Sequence, residues 1–104
     1  MIRKAFMMTL EPGNQDEYER RHNPIWPELQ AVLKEHGVSN YSIFLDRESD
    51  RLFAYAEIES NDLWLSIAGT EVCRRWWEHM SDLMLTNPDN SPSVIMLEEV
   101  FHLD

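Results

Sequence analysis

Cysteine is nearly absent from this chain of 104 residues, which contains only Cys73. A single cysteine excludes an intramolecular disulfide framework and suits a reducing compartment, so we expect a cytoplasmic location. We also expect no secretory signal, because residues 2–4 lead into a strand-like segment rather than into an apolar core with a cleavage site.

Long apolar runs and basic charge are also scarce. Every apolar run is far too short to cross a bilayer, so a membrane-spanning protein is not expected. Nine basic side chains stand against nineteen acidic ones, which gives a net charge of −10. Because this charge repels phosphate backbones and anionic lipids, we expect no nucleic acid and no membrane surface among the partners.

Motifs for phosphate or metal binding are missing. The chain has three glycines and no glycine-rich phosphate loop. Glu19 and His22 have the spacing of a metal-binding pair, but no second pair or Cys/His cluster completes a ligand set. Cys73 precedes Arg74, yet it lies on an apolar helical stripe, which favours packing over reactivity. We therefore expect no metal and no cofactor.

The predicted elements follow the order strand, helix, strand, strand, helix, strand within one domain, residues 1–104. Strands are predicted at residues 2–10, 38–46, 52–58 and 94–103, and helices at 15–22, 26–36, 61–69 and 70–84. The capping residues are predicted to be Asn14, one of Ser60-Asn61-Asp62, and Thr70. Asn23-Pro24 and Gly69-Thr70 break the two helical regions. The fold class is therefore α+β, a ferredoxin-like βαββαβ protomer whose helices cover one face of a four-stranded antiparallel sheet.

Apolar residues occur on both faces of the predicted strands. The examples are Phe44, Phe53, Tyr55, Val100 and Phe101. Because the helices cover only one face, the other face needs a further layer, and the chain is too short to supply it. A second copy packed sheet to sheet would cover this face, so we predict a homodimer.

A histidine lies where the first helical region is interrupted. Tyr18 and His22 are four residues apart and share a helix face, and Asn23-Pro24 ends the helix directly after His22. With an ordinary pKa of about 6.5, a histidine beside a pocket can give and take a proton near neutral pH. The alternative is that His22 only caps the helix, where its charge suits the negative end of the dipole.

Two adjacent tryptophans, Trp76 and Trp77, lie on the last predicted helix. Core packing is the ordinary role of such a pair. Two indoles can also form a broad apolar wall with N–H donors at its rim, an arrangement that suits a sugar, whose C–H face stacks on rings while its hydroxyls form hydrogen bonds. Tyr41, within the second strand, can add a hydroxyl to such a pocket.

Together these residues resemble the L-rhamnose mutarotase family over essentially the whole chain. The resemblance rests on Tyr18-x-x-x-His22-Asn23-Pro24-Ile25-Trp26-Pro27-Glu28, on Tyr41 and Trp76-Trp77, and on residues 87–92. It implies a dimeric α+β barrel of ferredoxin-like protomers that interconverts the α and β anomers of L-rhamnose without a cofactor. By resemblance, His22 is the catalytic proton donor, and Tyr18, Tyr41, Trp76 and Trp77 bind the sugar.

Ring opening requires a proton on the ring oxygen and loss of one from the anomeric hydroxyl. Our hypothesis from the sequence is that His22 acts on the ring oxygen, while a tyrosine hydroxyl or water handles the anomeric proton. Two rival functions share this fold class: a cofactorless monooxygenase or haem-handling protein, and a non-catalytic sugar sensor. Oxygen uptake or a spectral change would identify the first rival, and sugar binding without anomer exchange the second.

Overall fold

The computed structural model describes residues 1–104 and contains four strands and four α-helices. In chain order they are β1 (Ile2–Thr9), α1 (Gln15–Arg21), α2 (Pro27–Glu35), β2 (Val38–Asp46), β3 (Arg51–Ile58), α3 (Asn61–Ser66), α4 (Glu71–Met80) and β4 (Ile95–Leu97), with a short 3-10 helix, Ile67–Gly69, after α3. The strands form one antiparallel sheet in the order β2-β3-β1-β4. This arrangement confirms the predicted ferredoxin-like βαββαβ protomer.

The core lies between the helices and one face of the sheet. Alternate residues of the two central strands, β1 and β3, are buried, as the period of two requires for a sheet covered on one side. The main cluster consists of Phe6, Met8, Leu10, Tyr18, Leu29, Leu52, Ala54, Trp76, Met80, Leu83 and Met84. It contains residues of α1, α2 and α4, so the helices that carry the candidate site residues are held against the sheet.

Two of the three predicted caps are confirmed. The Ser60 hydroxyl accepts a hydrogen bond from the Leu63 amide at 3.2 Å, and the Thr70 hydroxyl accepts one from the Cys73 amide at 3.3 Å. Asn14 precedes α1, but its side chain does not cap the helix. The prediction for this side chain was wrong, because its amide instead donates to the Leu83 carbonyl at 3.2 Å, across the loop after α4.

Helix α4 ends at Met80, although the apolar pattern predicted that it would continue to about Met84. The Ser81 hydroxyl donates to the Glu78 carbonyl at 2.8 Å, one of the local hydrogen bonds by which serine competes with helix continuation. Met84 then pairs with Leu10 in an isolated antiparallel bridge. Leu83 therefore reaches the core from the turn after the helix, and Met84 from the bridge, rather than from the helix itself.

Strand β4 covers three residues, Ile95–Leu97, rather than the predicted residues 94–103. Beyond it, Arg3 forms an ion pair with Glu99 at 2.7 Å, while Val100 and Phe101 are exposed. Apolar residues in a strand need an apolar surface to pack against. Within one chain, Val100 and Phe101 have no such surface. The strand pattern is therefore only partly satisfied within one chain.

Apolar side chains form a row across the face of the sheet that the helices do not cover. Phe44 lies opposite Phe53, Phe53 opposite Met7, and Met7 opposite Ile95. Residues directly opposite in an antiparallel pair project to the same face, and the neighbours of Phe53 in β3 are buried on the helix side. We call Phe44, Phe53, Met7 and Ile95 the open-face row; it crosses all four strands.

Candidate active site

His22 is the C-cap residue of α1, as the alternative interpretation of the sequence proposed. Its Nδ1 lies 2.8 Å from the Tyr18 carbonyl oxygen. A carbonyl oxygen can only accept, so Nδ1 carries the proton, and in the neutral ring Nε2 keeps its lone pair. The ring therefore caps the helix with one nitrogen and leaves the other available for chemistry, so the two interpretations of His22 are compatible.

Two aromatic rings set the orientation of the His22 ring. Tyr18 lies on one side with a centroid distance of 4.3 Å and an interplanar angle of 34°. Trp76 meets the ring edge-on at 5.1 Å and 89°. Burial between these rings lowers the pKa of His22, an effect that the hydrogen bond to the Tyr18 carbonyl opposes. Because the pKa falls below its usual value of about 6.5, His22 is neutral at pH 7.

A cavity of about 1040 Å³ lies on the helix side of the sheet. Its lining includes all five residues that were singled out from the sequence: Tyr18, His22, Tyr41, Trp76 and Trp77. They come from α1, β2 and α4, so three separate segments converge on one site. The remainder of the lining is largely apolar, with Met8, Ile25 and Leu29 among its members.

Several polar atoms of these side chains have no hydrogen-bond partner within the chain. They are Nε2 of His22, the hydroxyls of Tyr18 and Tyr41, and the indole N–H groups of Trp76 and Trp77. No side-chain nitrogen or oxygen is both fully buried and unpartnered, so these five atoms remain accessible. The cavity thus combines apolar walls with free donors and acceptors, as a sugar site requires.

The two tyrosines stay protonated over the whole neutral range. Burial raises the pKa of Tyr18 well above its usual value of about 10, and the neighbouring Tyr41 adds to the effect. Burial likewise raises the pKa of Tyr41. Both hydroxyls are therefore hydrogen-bond donors rather than bases at neutral pH.

Three further aromatic side chains support the site and were not among the candidates from sequence. Trp64 lines the cavity and lies 6.2 Å from Tyr41 by ring centroids. Trp26 packs edge-on against Trp76 at 5.1 Å, and His79 lies 5.2 Å from Trp26. Trp26 belongs to the motif that carries the family resemblance, and that was the one available signal; nothing in the spacing links it to Trp76.

Other titratable groups do not form a second site. Cys73 is buried, and burial raises the pKa of its thiol to about 11 despite the nearby Arg74, in agreement with the predicted packing role. No three His, Cys, Asp or Glu side chains lie close enough together to hold a metal ion. The absence of a cofactor stays a prediction. None of the helices is both long and apolar enough to cross a membrane.

Comparisons with known proteins identify relatives that match the whole chain. The L-rhamnose mutarotase of Enterobacter sp. strain 638 is 59% identical over 104 residues, the full length of both chains. The crystal structure of an L-rhamnose mutarotase from Formosa agariphila superposes with a TM-score of 0.93 at 44% identity, again over the whole of both chains. An antibiotic biosynthesis monooxygenase superposes at a TM-score of 0.64 over 96% of this chain and 99% of its own, but with 14% identity. The monooxygenase shows a shared fold and nothing about function.

A family model described as L-rhamnose mutarotase matches residues 3–103. This range contains the helix break at His22, the tryptophan pair and the polar loop that follows α4. With a match of this extent and relatives that are collinear from end to end, the chain belongs to the L-rhamnose mutarotase family.

Proposed function

We propose that the protein interconverts the α and β anomers of L-rhamnose by opening and closing the pyranose ring in this cavity, without a cofactor. The observation that carries this proposal is the family match over residues 3–103, to which relatives named L-rhamnose mutarotase add full-length similarity. The convergence of His22, both tyrosines and both tryptophans on one cavity supports the site. A single buried cysteine suits the reducing conditions of the cytoplasm, where we place the protein.

The reaction needs two proton transfers in each direction and no net change in protons. On opening, the anomeric hydroxyl loses a proton, the bond between the anomeric carbon and the ring oxygen breaks, and the ring oxygen gains a proton. Rotation about one C–C bond presents the other face of the aldehyde, and closure reverses both transfers. Each positioned proton transfer contributes about 10²–10⁴-fold in rate.

His22 begins the cycle as a base. Its neutral ring offers the Nε2 lone pair, which takes the proton of the anomeric hydroxyl during opening. The imidazolium that forms then returns this proton to the aldehyde oxygen during closure. His22 is therefore a proton donor in the second half of the cycle, as the family resemblance implies, whereas our sequence hypothesis had assigned it to the ring oxygen.

The tyrosine hydroxyls act on the ring oxygen of the sugar. Because their raised pKa values keep Tyr18 and Tyr41 protonated, one of these hydroxyls can donate its proton to the ring oxygen as the bond to the anomeric carbon breaks, and take it back when the ring closes. The apolar faces of Trp76 and Trp77 hold the C–H face of the sugar. Stacking tolerates rotation about one C–C bond better than a set of directional clamps does, so the open-chain form stays bound between the two transfers.

We also propose that the protein is a homodimer. The open-face row leaves Phe44, Phe53 and Ile95 exposed on one surface, and the tail residues Val100 and Phe101 add to the apolar area. Soluble monomers rarely expose contiguous apolar patches of this kind. Two copies packed sheet to sheet would bury the row against itself, which is the dimeric α+β barrel implied by the family resemblance.

The direct test of function is saturation-transfer proton NMR on L-rhamnose at anomeric equilibrium. Saturating one anomeric proton in the presence of the protein is expected to reduce the signal of the other, and a protein-free sample supplies the spontaneous background. Transfer at the background rate with the sugar bound would identify a sensor instead of an enzyme. Transfer at the background rate without binding would remove the cavity as a sugar site.

The pH dependence of exchange tests the order of the proton transfers. Because burial lowers the pKa of His22, we expect kcat/KM to stay constant through neutral pH and to fall about tenfold per pH unit below a value under about 6.5. The same NMR measurement from about pH 5 to about pH 8 gives this profile. A rate that instead rose on acidification would show that His22 first donates a proton to the ring oxygen.

A further inference from the structure

Arg21 joins the two helices that carry the candidate catalytic residues. It is the last residue of α1 and directly precedes His22, and its guanidinium reaches the end of α4. Its Nη1 donates to the His79 carbonyl at 2.6 Å and to the Asp82 carboxylate at 3.0 Å. Its Nε donates to Glu17 within α1 at 2.7 Å. The guanidinium is thus bonded on both sides, to His79 near the end of α4, to Asp82 just after α4, and to Glu17 on its own helix.

The bonds from Arg21 to the end of α4 lie close to the contact between His22 and Trp76. Trp76 lies three residues before His79 on α4, and its ring edge contacts the His22 ring. At the other end of α1, the amides of Glu11 and Asn14 donate to the Leu83 carbonyl, so that end is attached to the segment after α4 as well. Arg21 therefore connects the His22 end of α1 to the end of the helix that carries Trp76.

We infer that Arg21 is a positioning residue for the acid/base chemistry, holding His22 against Trp76 although it does not itself line the cavity. The inference rests on the proposed function. The Arg21 side chain is only 15% exposed and is bonded across 61 residues of sequence. It is well placed for this role because its partners on both sides fix its position. Displacements of about 1 Å in a catalytic group cost on the order of 10²-fold in rate.

The adjacent Arg20 provides a matched control. It also pairs with Glu17, through Nε at 2.7 Å, but its side chain is 71% exposed and makes no hydrogen bond to α4. Arg20→Gln and Arg21→Gln therefore remove the same charge and the same local partner. Only the second removes the link to α4.

We expect Arg21→Gln to lower kcat for anomer exchange by about 10–100-fold with KM changed by less than about threefold, and Arg20→Gln to leave both near wild type. Arg21→Lys should restore part of the loss, because an ammonium group can bind one of the two α4 partners but not both in the same fork. The proton resonances of the His22 ring give a second readout. Ring currents of Tyr18 and Trp76 displace them, and Arg21→Gln should move them towards those of an exposed histidine.

Asp82→Ala provides a second test of the same link in case Arg21→Gln does not fold. It removes the partner of Arg21 in the exposed turn after α4, and should reduce kcat and shift the His22 resonances in the same direction, but less. Equal kcat values for Arg20→Gln and Arg21→Gln, or unchanged His22 resonances in Arg21→Gln and Asp82→Ala, would overturn the inference. If the wild type shows no exchange, the proposed function fails, while the resonances still test what Arg21 positions.

Discussion

We expect replacement of His22 by alanine to slow anomer exchange by about 10²–10⁴-fold, while L-rhamnose still binds. The substitution removes the Nε2 lone pair that we propose takes the anomeric proton, but it leaves both tryptophans and both tyrosine hydroxyls in place. The loss should therefore appear in kcat much more than in KM. Saturation transfer between the two anomeric protons, at several sugar concentrations, measures both.

His36 offers a matched control for this substitution. It ends α2 as His22 ends α1, with its Nδ1 2.7 Å from the carbonyl oxygen of Val32. Its ring does not line the cavity. His36→Ala thus removes an equivalent helix-capping bond without touching the site, and we expect wild-type exchange. Equal rates in His22→Ala and wild type would assign the proton transfer to another group, with Tyr18 and Tyr41 the next to test.

The parts of the site that could be predicted depend on short-range rules. Tyr18 and His22 share a face because they are four residues apart on a helix, and the proline after Asn23 marks the point where the backbone leaves that helix. The same rules placed the four strands and the caps Ser60 and Thr70. Local spacing determines these features, so no knowledge of the rest of the chain was needed.

The contacts that the sequence did not reveal join distant segments. Nothing in the spacing indicates that Trp26 meets Trp76, or that Arg21 reaches Asp82 across 61 residues. The end of α4 was also misplaced, because the apolar residues after Met80 fit a helix equally well and only the bridge between Met84 and Leu10 decides otherwise. Tertiary contacts override local pattern at such points.

The same reasoning explains the short last strand. The predicted last strand includes residues 98–103, yet in a single chain no residue beyond Leu97 joins the sheet. The apolar residues of a predicted strand indicate that it packs against an apolar surface, but they do not indicate whether that surface belongs to the same chain. The tail and the open-face row therefore support the same proposal of a second copy.

Phe53→Asp is expected to convert the proposed dimer into monomers. Phe53 lies in the middle of the open-face row and is 37% exposed in the single chain, so the sheet-to-sheet dimer would bury it further. A carboxylate placed there would lose its water without gaining a partner, at a cost of about 2–5 kcal/mol in association. Since every 1.4 kcal/mol is tenfold, the dissociation constant should rise by roughly 30–4,000-fold. Sedimentation equilibrium of the 12.4 kDa chain measures it.

Two further variants separate loss of the interface from loss of folding. Leu63→Asp introduces the same charge at a residue with nearly equal exposure, 36%, on α3 at the other side of the sheet, and should remain dimeric. Ile95→Asp alters the open-face row at the edge strand β4, where the side chain is 58% exposed and contributes little to the core of one chain. We expect Ile95→Asp to weaken the dimer as Phe53→Asp does, because both place a charge in the row that the proposed dimer would bury. A dimer that persisted in both variants, or a wild-type protein that sedimented as a monomer at micromolar concentration, would show that the row is not the interface.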